Sequence, residues 1–66
     1  MDLKTIILNN YINNKDNIKK YNDYFKNYRI KILALRTDKR SGILRYRNSK
    51  IYFYILNNNI TIESMY

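Results

Sequence analysis

Apolar side chains along this chain first recur at every third or fourth position and then, from Arg29 onwards, at every second one. The first period is that of one face of an α-helix, the second that of one face of a β-strand. The pattern therefore predicts a mainly helical part over residues 1–28 and an antiparallel sheet over 29–66. Leu3, Ile6, Ile7 and Tyr11 form one stripe, and Asp2 is placed to cap a helix over 3–13. The segment "KTIIL" also suits a strand, because Thr and Ile are β-branched. The Asn-rich stretch "NNYINNKDN" predicts a break near 13–16. A second helix is expected over 16–27, capped by Asp16 or Asn17. Its apolar face carries Ile18, Tyr21, Phe25 and Tyr28, and Lys19, Lys20, Asn22 and Asp23 take the other side.

In the second part "YRIKILALR" reads as a strand, and "TDKRSG" breaks it with Gly42 free to take a positive φ. Further strands are expected at 43–47, 50–56 and 60–64. Their links are Asn48-Ser49 and Asn57-Asn58-Asn59, and Asn tolerates the left-handed backbone of tight hairpin turns. Short links make consecutive strands antiparallel neighbours. The expected fold class is α+β. N-terminal helical segments pack on a three- to four-stranded antiparallel meander, all within one small domain.

A two-residue turn at Asn48-Ser49 would set Arg47 opposite Lys50, Tyr46 opposite Ile51, Arg45 opposite Tyr52, Leu44 opposite Phe53 and Ile43 opposite Tyr54. Paired residues share a face and faces alternate. One face then holds Leu44, Tyr46, Ile51, Phe53 and Ile55. The other holds Ile43, Arg45, Arg47, Lys50, Tyr52 and Tyr54, a basic and aromatic surface.

Charge sharpens this picture. Thirteen basic residues against five acids give a net charge of +8, which points to a polyanionic partner. Asn, Ile, Lys and Tyr supply 38 of the 66 residues, and all four can be written in codons rich in adenine and thymine. Lysine content alone is discounted for that reason. Arginine carries more weight, and all five arginines fall between Arg29 and Arg47. A chain this short buries only about 60% of its unfolded surface, so a partner is expected to add stability.

Several function classes lose support. Cysteine and histidine are absent, which removes disulfides, Cys-based zinc sites and the usual nitrogen and sulfur ligands of transition metals. No metal, cofactor or small-molecule substrate is expected. The five acids are scattered, and a single glycine cannot build a glycine-rich phosphate loop. Ser49-Lys50 imitates a Ser/Lys pair only on paper, since a hairpin turn offers no pocket. Without a tuned acid, base or nucleophile in a concave site, an enzyme is not expected. The start "MDLKTIILNN" has no signal-peptide pattern, and the longest apolar run, "IYFYIL", is far short of the roughly 20 residues of a membrane span. An intracellular protein away from membranes is the expectation.

Arginine and tyrosine together suit nucleic acid. Guanidinium groups bridge phosphate oxygens in pairs, and tyrosine rings stack on unpaired bases. The candidate RNA-binding residues are Arg45, Arg47, Lys50, Tyr52 and Tyr54 of the hairpin, with Arg36, Lys39 and Arg40 of the loop "RTDKRSG". Lys15, Lys19, Lys20 and Lys26 could extend this footprint, but solvated helix lysines are the default reading of them.

The segments "KKYNDYFKNY", "RIKILALR" and "SGILRYR", with Leu44-Arg45-Tyr46 as the closest local match, form a lysine- and tyrosine-rich helix followed by two strands. This order resembles the second half of the eukaryotic large-subunit ribosomal protein twenty-two family over residues 16–47. The resemblance implies a structural rRNA-binding protein of the large subunit, with ribosomal RNA and neighbouring ribosomal proteins as partners, in the cytoplasm or in an organelle's ribosome. Two other classes stand beside it. One is a viral or phage accessory protein that binds and inhibits a host protein. The other is a small DNA-binding regulator, weakened by the lack of arginine in helix 16–27.

Overall fold

Two helices open the chain, each started by a side-chain cap. The Asp2 carboxylate accepts from the Thr5 N–H at 2.8 Å and begins α1, Leu3–Asn14. Asn17, rather than Asp16, caps α2, Ile18–Asn27, accepting from the Lys20 N–H at 3.2 Å. Both satisfy donors that a helix start leaves unpaired. The structure, a computed structural model, describes residues 1–65; the last residue of the sheet region expected over 29–66 lies outside them.

The helices are tied together by a polar group that periodicity did not single out. Asn10 is fully buried. Its amide donates to the Tyr21 carbonyl of α2 at 2.9 Å, and its oxygen accepts from Asn14 at 3.0 Å. Burying an amide is tolerable only with such partners.

Helix α2 ends with Arg29 in the left-handed region at φ 58°. The Ile30 N–H bonds to the Phe25 carbonyl and the Arg29 N–H to the Lys26 carbonyl, both at 3.0 Å. This is the Schellman arrangement, with the buried pair Phe25 and Ile30 supplying its usual apolar contact. Glycine or Asn normally takes the position of Arg29.

Four strands follow: β1 (Lys31–Leu35), β2 (Ser41–Tyr46), β3 (Ser49–Leu56) and β4 (Asn59–Ser64). They form one antiparallel meander in the order β1-β2-β3-β4. The fold is thus α+β, with the helices packed on one face of the sheet. The core joins Ile6, Ile7, Tyr11, Tyr21, Phe25 and Ile30 to Leu44, Ile51, Phe53 and Ile55. Ile18, expected in that core, is 51% exposed; it begins α2 and sits on the rim of a groove with Phe25, Ile32 and Leu35.

The hairpin register differs from the expected one in an instructive way. The central turn residues are Arg47 and Asn48, at φ 51° and 63°, not Asn48 and Ser49. Leu44 therefore faces Ile51, Arg45 faces Lys50 and Ile43 faces Tyr52. Moving the turn by one residue moves every partner by two, so each strand residue keeps its face. The observed register sets Gly42 opposite Phe53. A Cβ on Gly42 would lie 3.2 Å from a Phe53 ring carbon and 2.6 Å from the Ala34 carbonyl oxygen. A large ring over a glycine packs better than Leu44 directly against Phe53. Gly42 is accordingly a strand residue without positive φ; its role is close approach, and Lys39 takes the left-handed position in the loop, at φ 60°.

Candidate nucleic-acid interface

The sheet face away from the helices can be read row by row from the registers. At the end nearest the β2–β3 turn, Lys31, Arg45 and Lys50 lie side by side on β1, β2 and β3. Neighbouring strands are about 4.8 Å apart, so three cations stand in direct cross-strand register. Like charges placed this way repel. The sheet contains a single acid among the described residues, Glu63, which lies one row further in, opposite Tyr52.

The next row is Ala34, Ile43, Tyr52 and Glu63, and the one after it Ser41, Tyr54 and Thr61. Tyr52 and Tyr54 therefore project from the same side of β3. Their ring centroids are 5.9 Å apart with planes tilted by 43°. Ala34, Arg36, Ile43 and Tyr52 border an open groove of about 280 Å³ on this face. A row of cations followed by an aromatic ledge can hold a phosphate backbone at one end and stack bases along the other.

The eight residues expected from sequence divide into two groups. Arg45, Lys50, Tyr52 and Tyr54 share the outer face, and Arg36 reaches its far end. Arg47 does not join them. It occupies the turn, with its guanidinium 5.1 Å from the Tyr46 ring centroid, and Tyr46 belongs to the helix-side face. Lys39 and Arg40 lie at the opposite end of the sheet. There the Arg40 guanidinium donates to the Tyr11 hydroxyl at 3.0 Å, and that bond holds it above its ordinary pKa. The Arg40 N–H donates to Asp38 at 3.0 Å. These contacts tie Arg40 to α1 on the helix side.

Sequence reading missed Lys31. The register of β1 against β2 shifts between Ile32 and Ala34, a bulge at Leu33 that returns Leu35 to the core face. The nearly continuous apolar run "KILAL" hides that bulge, and a loop of several residues fixes no register. Among the described residues no group of three acidic side chains is placed to hold a metal. Among the described residues no helix is long and apolar enough to cross a membrane. No family model, curated protein or solved structure matches this chain.

Proposed function

We propose that this protein binds single-stranded RNA across the uncovered face of its sheet, as a structural rRNA-binding component of the ribosome in contact with neighbouring ribosomal proteins. The row Lys31, Arg45 and Lys50 carries the reading. The fold gains nothing from setting three cations side by side, whereas a phosphate backbone would relieve their repulsion and neutralise them. Tyr52 and Tyr54 then offer ring faces to two bases or sugars. Nothing in this arrangement reads base edges in a groove, so contact by shape, charge and stacking is expected.

The test is a salt titration of binding to a short single-stranded RNA. With about six phosphates neutralised, log affinity should fall against log salt with a slope of about −4. Arg45→Ala should flatten that slope by somewhat less than about one unit for every sequence tried. Tyr52→Ala should weaken binding and leave the slope alone. Co-sedimentation with ribosomes through a moderate-salt wash tests the ribosomal assignment. A flat salt dependence would overturn the RNA reading. It would favour a protein partner instead, for which the apolar groove between α2 and the open edge of β1 is the available surface.

A further inference from the structure

Two arginines sit where this backbone asks for glycine or Asn. Arg29 follows Tyr28 at the end of α2, and Arg47 follows Tyr46 at the start of the β2–β3 turn; both have positive φ, 58° and 51°. The chain does not lack the better residue. Its sister turn between β3 and β4 uses Asn57 and Asn58 at φ 52° and 61°, nearly the same backbone. An L-residue with a long side chain is disfavoured in this region, and such outliers persist where something else requires the side chain.

The four residues Tyr28, Arg29, Tyr46 and Arg47 line one open groove of about 400 Å³. It opens on the helix side of the same end whose outer side carries Lys31, Arg45 and Lys50. Arg47 is already held over the Tyr46 ring at 5.1 Å, which orders the guanidinium. Tyr28 continues into a second aromatic pair, its ring centroid 5.2 Å from that of Tyr24. Among the described residues no acid lines the groove.

We propose that this groove is a nucleotide-phosphate subsite: Arg29 and Arg47 clamp one phosphate, and the tyrosines beside them receive the attached base. It rests on the RNA reading above and extends it, since a strand crossing the cation row would pass around the turn and seat one nucleotide on the helix side. Two guanidinium forks suit the oxygens of a phosphate, and tyrosine faces accept any base.

The decisive variant is Arg29→Asn with Arg47→Asn. Each change removes a guanidinium and puts in a residue that suits positive φ, so lost binding cannot come from a broken fold. Single-stranded RNA binding should weaken about tenfold, and the salt slope should flatten by about 0.7 units, the share of one phosphate. Unchanged affinity and slope, in a protein whose binding still depends on Arg45, would overturn the subsite and leave the RNA reading standing. A second arm uses adenosine monophosphate and inorganic phosphate as probes, followed by amide NMR shifts. Nucleotide shifts centred on Arg29, Tyr46 and Arg47, larger than those from phosphate and absent in the double variant, support the subsite. Equal shifts from both probes reduce it to a site for free phosphate and overturn the base contact. No shift at the groove overturns it even if the parent protein binds no RNA, a result that would also remove the first reading.

Discussion

The two ends of the sheet are built from the same residue types and use them differently. At one end lie the β1–β2 loop and the Asn57-Asn58 turn, with Arg36, Lys39 and Arg40. Here Arg40 serves the fold, its guanidinium bonded to Tyr11 and its backbone to Asp38; the Lys39 carbonyl accepts from the Tyr21 hydroxyl at 3.4 Å, a long contact, and Arg36 lines the groove of the outer face. At the other end lie the close of α2 and the Arg47-Asn48 turn, with Arg29, Lys31, Arg45, Arg47 and Lys50. No acid occurs in segments 28–31 or 45–50. The difference separates a cation bonded to another element of the fold from cations gathered with no acid in their own segments, and sequence composition alone cannot make that separation.

The largest effects should come from the packing below the loop end. Phe53 is 1% exposed and faces Gly42. Phe53→Ala should cost about 3–5 kcal/mol, enough to abolish folding of so small a domain. Gly42→Ala should cost about 1–3 kcal/mol through overpacking, because its Cβ would press on the Ala34 carbonyl oxygen. Tyr54→Ala, one residue from Phe53 but on the outer face and 38% exposed, should change stability by less than about 1 kcal/mol. Urea unfolding of the three variants measures this. Equal losses for Phe53 and Tyr54 would mean that the two faces had been misassigned.

At the turn end the expected effect is on binding, not folding. The triple variant Lys31→Ala, Arg45→Ala, Lys50→Ala should flatten the RNA salt slope by about two units. Its stability should hold or rise slightly, since cross-strand repulsion is relieved. Arg40→Ala should do the reverse, losing stability through the Tyr11 contact with little change in slope. If Arg40→Ala flattens the slope as much per charge as the triple variant, the distinction between the ends fails.

Alkaline pH should loosen the loop end first. Burial, and secondarily the neighbouring Tyr11, push the Tyr21 hydroxyl well above the ordinary tyrosine value of 10.0. The folded state therefore holds this proton more tightly than the unfolded chain. The resulting stability is complete below about pH 10, the unfolded value, and is lost progressively as pH climbs towards the raised folded value. Unfolding midpoints should fall above about pH 10, and Tyr21→Phe should remove most of that fall. A pH-independent midpoint to pH 11 would show that Tyr21 is not the coupled group.

These two ends also show what the sequence made legible. The change of period at Arg29 located both layers because that signal is local; the cap of α2 was narrowed to Asp16 or Asn17, of which Asn17 caps, and β-branched "KTIIL" left α1 open between helix and strand until its packing decided. The face of Leu44, Phe53 and Tyr54 was legible too, although the turn was misplaced by one residue, since a two-residue shift of partners preserves parity. Arg47 was misplaced by that same shift, from strand to turn. Lys31 was invisible because a bulge in an apolar strand leaves no periodic mark. The commitment of Arg40 to Tyr11, across 29 positions of sequence, is a tertiary contact that no local pattern encodes.

The smallest effect is the sharpest comparison, because the two turns share one backbone. Arg47 and Asn57 occupy the same first turn position at φ 51° and 52°. Left-handed backbone costs an ordinary L-residue about 1–2 kcal/mol, and Asn avoids part of it. Arg47→Asn should thus raise stability by about 0.5–1 kcal/mol, and Asn57→Arg should lower it by a similar amount. Charge adds a second signature. Arg47 sits among Arg29, Arg45 and Lys50, so its removal should stabilise more at low salt than at 1 M, where the Debye length is about 3 Å. Asn57→Arg places its charge at the other end, beside Arg40, where fewer cations are gathered, and its cost should vary less with salt. Urea midpoints of both variants at two salt concentrations measure this. Identical salt responses would mean that the cations around Arg47 are not crowded enough to need a partner, and the case for an anion at that end would weaken with them.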